Sequence, residues 1–290
     1  MSAIRKSYLV GLIGEGITHS LSSPLHEREA EQHGLNYVYR PVDLTVIGRP
    51  GSDVGRILQE GRDLGFDAFN ITHPSKQLAL PYLDELSEDA QRLGAVNTVL
   101  IRNNTFVGHN TDHSGFGRAL HEGLPDVDLA SVLQIGAGGA GSAVAYALLK
   151  AGTSTLTLVD VDADRAAELA SRLGELYPER TVLSVGLTEL SSAVGAASGM
   201  VNATPIGMHS YPGCPIDTAL LRADLWVADV IYRPVRTELV IAAEAAGCRV
   251  LDGGHMAVGQ AVDAFELITG IAPDAARMRQ HFLDLIASGA

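Results

Sequence analysis

The chain has 290 residues, enough for two domains at the usual ~100–200 residues each. A hydrophobic fraction of 46% against 19% charged excludes a disordered chain, and a formal charge of −13 argues against nucleic acid or an anionic membrane as partner. No apolar run approaches the ~18 residues of a membrane span and the N-terminus has no signal-peptide pattern, so the chain reads as soluble, unexported and cytoplasmic.

In chain order, the segment 8–14 (YLVGLIG) reads as a buried strand and 36–44 as a second. A helix is predicted over 52–65, a strand over 66–72 and a helix over 76–86. A hairpin follows, 95–101 and 105–110, turning at Asn103-Asn104. A helix over 114–123 leads to Leu124-Pro125. From Ser131 the beat is regular, with strands at 131–136, 155–160, 181–185, 199–203, 226–231 and 249–251 and helices between most of them. Such alternation of short apolar strands and helices is the pattern of a parallel sheet covered on both faces. Two amphipathic helices, about 256–269 and 273–288, close the chain, and either could pack back on the first half. The fold class is therefore α/β in two domains. Cys214 and Cys248 form neither a zinc spacing nor a disulfide framework, as expected of a reducing compartment.

The segment 133–141 (LQIGAGGAG) ends a strand and opens the helix 140–150. Gly136, Gly138 and Gly141 fit G-x-G-x-x-G, which serves a tight turn, close approach to a pyrophosphate and close helix–strand packing. The backbone of Gly136, Ala137, Gly138, Gly139 and Ala140 is the expected phosphate cradle, at a helix N-terminus that favours anions. The next strand ends at Asp160, where an acid grips the adenosine ribose through its hydroxyls; its plain alternative is a helix N-cap. A 2′-phosphate would meet like charge there, and Val161 supplies no cation. NAD is the expected cofactor. Arg165, a turn into the helix, could reach the adenosine side or lie on a solvated face, so NADP stays open.

Polar clusters gather after strands of the first half: 18–22 (THSLS), 70–76 (NITHPSK), 94–98 (GAVNT) and 108–112 (GHNTD). Ligands of open α/β sheets bind outside the carboxyl ends of strands, and these groups suit a polyhydroxylated small molecule. Oxidation of an alcohol needs a group to take the hydroxyl proton, and a lysine held by a carboxylate can do so. Lys76 and Asp112 are the candidates. Their ordinary alternatives, a solvated helix residue and a helix cap, stand without a pair distance. His73 and His109 are further acid/base candidates, more simply read as structural or substrate-lining. No His or Asp cluster has metal spacing, and no metal is expected.

Eight ordered segments then carry a resemblance: GEGITHSLSSPLHE (14–27), NITHPSK (70–76), GAVNT (94–98), GHNTDHSGF (108–116), GAGGAG (136–141), NATPIGM (202–208), DVIYRPVRTEL (229–239) and GGHMAVGQ (253–260). The chain resembles the shikimate dehydrogenase family, and the acid-ended strand with HNTDHSGFGRALHEGLP is similar to its NAD-dependent quinate/shikimate branch.

The resemblance implies a substrate domain over 1–113, joined by C-terminal helices over about 261–290, and a Rossmann domain over 114–260, with a cleft. It implies Lys76 and Asp112 as the catalytic pair and Ser20, Ser22, Thr72, Asn97, Tyr232 and Gln260 as substrate contacts, the serines on the carboxylate. Asn202, Ala203, Thr204 and Met208 would line the cofactor, with Gly253 and Met256 near the nicotinamide. The reaction implied is hydride transfer between NAD and the ring carbinol of shikimate or quinate, in aromatic amino acid biosynthesis or quinate catabolism, by a monomer or homodimer. Two alternatives are a dehydrogenase of an amino-substituted analogue and a non-catalytic dinucleotide sensor, against which retention of both Lys76 and Asp112 counts. Three departures from the family pattern are Ser23 before Pro24, Asp160-Val161-Asp162 in place of the Asn-Arg-Thr of NADP-using members, and Ser22 where quinate users often carry threonine.

Overall fold

The computed structural model describes residues 5–289. The first part of the chain forms β1 (Ser7–Gly14), α1 (Ser22–Gln32), β2 (Asn36–Asp43), α2 (Leu44–Ile47), α3 (Val54–Asp63), β3 (Ala68–Ile71), α4 (Ser75–Leu78), β4 (Glu85–Leu86), α5 (Glu88–Leu93), β5 (Thr98–Arg102), β6 (Thr105–His109) and α6 (Thr111–Gly123). The rest forms β7 (Ser131–Ile135), α7 (Gly139–Lys150), β8 (Thr155–Val159), α8 (Ala163–Leu176), β9 (Thr181–Ser184), α9 (Leu190–Ala196), β10 (Gly199–Asn202), β11 (Trp226–Asp229), α10 (Glu238–Ala245), β12 (Arg249–Leu251), α11 (Gly253–Thr269) and α12 (Ala275–Ala287). Residues up to Thr111 and from Gln260 onward form one compact unit, and Asp112 to Gly259 the other. These borders lie inside α6 and α11, a residue or two from the expected 113/114 and 260/261, because a continuous helix carries no break in composition to mark them.

The first unit holds a mixed sheet in the order β2-β1-β3-β5-β6-β4. β1 pairs in parallel with β2 and β3, while β5 runs antiparallel to β3 and β6. Ile57 and Leu58 of α3 pack on one face with Phe69 and Val99, and Phe265 and Ile268 of α11 pack on the other with Val10 and Leu100. The β5–β6 hairpin turns through Asn103 and Asn104 at φ of 49° and 67°, positive values that asparagine tolerates. Arg277 fastens α12 to α1 by bonding the buried Glu29 carboxylate at 2.8 and 2.5 Å. The helix expected over 76–86 is not continuous. It stops at Leu78, a 3₁₀ turn follows at Leu80–Tyr82, and β4 starts at Glu85. Pro81 is the cause, since it has no N–H to donate and its ring clashes with the carbonyl four residues back.

The second unit holds six parallel strands in the order β12-β11-β10-β7-β8-β9. Numbered within the unit this is 3-2-1-4-5-6 read from the other edge, the doubly wound dinucleotide-binding arrangement, whose switch point lies between β7 and β10. The strands are short and apolar because both faces are covered: Val132, Leu133, Val159, Met200 and Val227 are all fully buried.

Candidate functional site

At the switch point, β7 ends in the glycine turn. Gly136 has φ of +100°, and a Cβ there would lie 2.6 Å from the Ala203 carbonyl oxygen, so only glycine fits. A Cβ on Gly141 would lie 2.2 Å from the Gly136 carbonyl oxygen, so close packing of helix on strand fixes that position too. Gly138 and Gly139 differ: a Cβ on either would meet nothing within 4 Å. Gly138 is the N-cap of α7 and no side chain caps the helix. The turn thus opens a backbone-lined space at a helix N-terminus, which fits a pyrophosphate.

β8 delivers Asp160, 7% exposed, to the same turn. Its Oδ2 accepts from the Ala137 N–H at 2.6 Å and its Oδ1 from the Asp162 N–H at 2.9 Å. Arg165 completes the set through Nη2 at 2.5 Å and Nε at 3.4 Å. Burial works to raise the Asp160 carboxyl, but the Arg165 guanidinium and the two N–H donors outweigh it and hold the group below its ordinary value. The N-cap of α8 is Asp162, which accepts from the Arg165 N–H at 3.1 Å. Asp160 is therefore not the cap, and Arg165, though exposed, turns its guanidinium onto Asp160.

The loop after β10 is shaped by Asn202, which is fully buried. Its Oδ1 accepts from the Thr204 N–H at 3.1 Å and hydroxyl at 2.7 Å, and its Nδ2 donates to the Ile206 carbonyl and to Asp229 Oδ1, both at 3.1 Å. All four bonding positions of the amide are used inside the protein, so Asn202 shapes the segment 203–208 and has no hydrogen-bonding position to spare. Ala203 and Thr204 are half-buried and Met208 exposed. Gly253 is buried at the start of α11, with Met256 half-buried one turn on and Tyr232 39% exposed after β11. Asp229 also accepts from the Thr237 hydroxyl at 2.7 Å and the Ile231 N–H at 3.0 Å. Its burial pushes the carboxyl up to about 6.

In the first unit, the register brings the ends of β1, β2, β3 and β6 and the start of β5 to one edge. The loop 15–21 follows β1, and Asp43 at the end of β2 ties it down. The Asp43 carboxylate accepts from the Gly16 N–H at 3.0 Å and from the Thr18 N–H and hydroxyl at 2.9 and 2.6 Å. The Thr18 hydroxyl and these N–H groups lower it to about 2 against the effect of burial. Ser20 Oγ accepts from the Ser22 N–H at 3.2 Å, which leaves its own proton to donate. Ser23, one of the departures from the family pattern, anchors the start of α1 by donating to the Tyr39 carbonyl at 2.6 Å.

A buried polar chain runs along this edge. The Ser22 side chain bonds the Tyr39 hydroxyl, which donates to Asn70 Oδ1 at 2.9 Å. Asn70 Nδ2 donates to the Thr98 hydroxyl at 2.9 Å, and Thr98 to Asn97 Oδ1 at 3.2 Å. Asn97 Nδ2 reaches the Thr111 hydroxyl at 2.9 Å, and Asn97 Oδ1 accepts from the Thr111 N–H at 2.6 Å. Ser22 and Asn97, far apart in sequence, thus belong to one network. Lys76 is half-buried on α4, and its carbonyl accepts from the Val96 N–H at 3.0 Å, which ties α4 to the segment carrying Asn97. Thr72 is half-buried and Gln260 half-buried on α11. Asp112 is 8% exposed in the first turn of α6, which starts at Thr111 rather than the expected 114. His73 is exposed, while burial and then Arg102 lower the half-buried His109 imidazole. Asp43 and Tyr39 were not among the expected site residues, while Asn70 and Thr98 stood only as members of the clusters 70–76 and 94–98 and Asp229 only as the first residue of the segment 229–239; the signal for each is a polar residue inside or at the end of an apolar strand.

Among the described residues no group of three or more His, Cys, Asp or Glu could hold a metal ion, and no helix is long and apolar enough to cross a membrane.

Residues 12–99 match the model of the shikimate dehydrogenase substrate binding domain. Over 288 residues the chain is 56% identical to a shikimate dehydrogenase (NADP(+)) of Pseudarthrobacter chlorophenolicus, covering 99% of this chain and 98% of the relative. It is 49% identical to a quinate/shikimate dehydrogenase (NAD(+)) of Corynebacterium glutamicum, covering 96% and 99%. Among solved structures, quinate dehydrogenase from Corynebacterium glutamicum in complex with NAD superposes with a TM-score of 0.92 at 47% identity, covering 97% of this chain and all of that one.

Proposed function

Because the chain belongs to the shikimate dehydrogenase family, we propose that it moves a hydride between NAD and the ring carbinol of shikimate or quinate, with 3-dehydroshikimate or 3-dehydroquinate as the ketones. A nicotinamide dinucleotide and a small hydroxy acid are the reactants of this family. The preference for NAD is carried by one observation: the second strand of the nucleotide-binding sheet ends in a buried, ionised Asp160. Asp160 and Asp162 share a single Arg165, so a 2′-phosphate would add negative charge to a site already negative. Arg165 gives secondary use of NADP its footing, since it can leave Asp160 for a phosphate.

When bound, the dinucleotide accepts the hydride in oxidation and returns it in reduction. Lys76 takes the hydroxyl proton through an unprotonated Nζ and gives it back in the reverse direction. Asp112 binds the same hydroxyl and orients the amine. Ser20 donates its hydroxyl proton to the substrate carboxylate, Ser22 joins it by turning its hydroxyl from Tyr39 to the carboxylate, and Thr72, Asn97, Gln260 and Tyr232 bond the remaining oxygens. The backbone of Gly136, Ala137, Gly138, Gly139 and Ala140 receives the pyrophosphate. Ala203, Thr204 and Met208 line the dinucleotide, and Gly253 and Met256 the nicotinamide end. The unit up to Thr111, with the residues from Gln260, is the substrate domain; Asp112 to Gly259 is the cofactor domain.

The test is a panel of shikimate, quinate and an amino-substituted analogue, each with NAD and NADP. The highest kcat/KM is expected for NAD with shikimate or quinate. A higher value for the analogue would overturn the substrate assignment, and equal or better efficiency with NADP would overturn the cofactor preference.

A further inference from the structure

Gln134 is a polar residue in the most deeply buried strand of the second unit. Its neighbours Leu133 and Ile135 are apolar, its parallel partners are Leu158 and Val201, and its own exposure is zero. An apolar side chain is the expected occupant of such a position. The amide Nε2 donates to two carbonyls, those of Gly136 and Gly141, each at 2.8 Å. These are the first and last glycines of the turn. The Oε1 of the same amide is buried without a partner. A buried acceptor left unpaired is destabilising, so what the amide contributes at this position is its pair of bonds to the turn.

The peptide unit between Gly136 and Ala137 is held at both ends. Its carbonyl accepts from Gln134 Nε2 and its N–H donates to Asp160 Oδ2 at 2.6 Å. A peptide is planar, so fixing both its carbonyl and its N–H fixes its orientation. We propose that Gln134 is a positioning residue for the dinucleotide: with Asp160 it clamps this peptide, and through Gly141 it draws the first turn of α7 toward β7. The clamp keeps the backbone-lined space beside Gly138 and Gly139 preorganised for a pyrophosphate. The proposal rests on the reading that this turn binds the cofactor. Gln134 does not itself touch the ligand, because its donors are turned to the two carbonyls.

The variant Gln134→Met keeps the volume and removes both the two donors and the orphaned acceptor. The expected result is a KM and dissociation constant for NAD raised about tenfold or more, with kcat at saturating NAD and the KM for shikimate within about twofold of the parent. The melting temperature is read alongside, because the substitution removes the orphaned acceptor but also takes the donor from the Gly136 and Gly141 carbonyls; a loss of NAD affinity with kcat and the shikimate KM kept is not what a general loss of stability would give. Leu133→Met, a repacking of the same strand that spares the clamp, should leave NAD affinity unchanged. Gln134→Asn, an amide too short to span both carbonyls, should repeat the NAD-specific loss and serves if the Met variant does not fold. Parent-like NAD affinity in Gln134→Met or Gln134→Asn, or an equal loss in Leu133→Met, would overturn the proposal. A parent protein that binds neither NAD nor NADP would instead overturn the reading of the turn.

Discussion

Arg165 grips Asp160 with two contacts, Nη2 to Oδ1 at 2.5 Å and Nε to Oδ2 at 3.4 Å. With the Ala137 and Asp162 N–H groups also bound, each carboxylate oxygen already accepts two hydrogen bonds. A ribose hydroxyl that bonds Asp160 must therefore share an oxygen with Arg165 or displace it. If the proposed site holds NAD, specificity for the adenosine end would be a property of the pair rather than of the acid alone.

The two members of the pair have opposite expected effects. Asp160→Ala removes the acceptor and frees Arg165, so kcat/KM should fall about tenfold for NAD and rise for NADP. Arg165→Gln leaves Asp160 charged and unpaired, so NADP should lose more than NAD and the preference should widen. Steady-state kinetics with both cofactors check this, and a preference unmoved by either change would refute it.

Removal of the proposed proton-transfer group should be read in kcat. Lys76→Met is expected to lower kcat by about 10²–10⁴-fold while NAD still binds. Asp112→Asn should lower kcat as well, and the double variant should lose less than the product of the two, because the groups act as a unit. Near-normal turnover in Lys76→Met would remove it from the mechanism and turn attention to His73.

The substrate carboxylate gives a third expectation. Ser22→Ala should cost about tenfold or more in kcat/KM for shikimate, since bonds to a charged acceptor contribute about 1.5–3 kcal/mol. Tyr39→Phe deletes the hydroxyl between Ser22 and Asn70 without touching substrate, and should raise the shikimate KM with a smaller effect on kcat. The KM for NAD should barely move in either variant. Unchanged shikimate kinetics in both would show that this loop is not the carboxylate site.

Asp229 predicts a pH dependence of stability. Burial raises its carboxyl from 3.8 to about 6, against hydrogen bonds from Ile231, Thr237 and Asn202. The folded state thus holds the proton more tightly than the unfolded one, so this contribution is complete below the unfolded value and is lost as pH rises through about 6. A rise of this size corresponds to about 3 kcal/mol. Asp229→Asn removes the titration, so its stability relative to the parent should improve from about pH 4 to about pH 7. Denaturant unfolding across that range checks it; parallel curves for the two proteins would contradict it.

Much of the second unit was readable in the sequence because a covered parallel strand is simply a short apolar run, as in β8 and β10, and because Gly136 and Gly141 answer to steric demands that no other residue meets. Asn103-Asn104 was readable because asparagine tolerates the positive φ of a tight hairpin turn. Helix α1 was not. Its buried face is Leu25, His26, Glu29 and Ala30, so two of the four residues are polar and no apolar stripe appears. The break in the helix expected over 76–86 was written in Pro81 and was overlooked. In the Tyr39–Asn70–Thr98 chain and the Gln134 clamp the local signal is only a polar residue in or beside an apolar strand; the partners are not legible, since they meet only through strand register or a turn. Asp160 was legible as an acid at a strand end, and Arg165 as a candidate for the adenosine side, but not their pairing, because a helix residue five positions on has several directions open to it.

The most direct test of the account is the appearance of the reduced-nicotinamide absorbance band when the purified protein is mixed with NAD and shikimate, and in parallel with NAD and quinate. The account predicts sustained reduction of NAD with at least one of the two acids, abolished to near background by Lys76→Met and weaker when NADP replaces NAD. No reduction with either acid and either cofactor, or reduction that survives Lys76→Met unchanged, would contradict it.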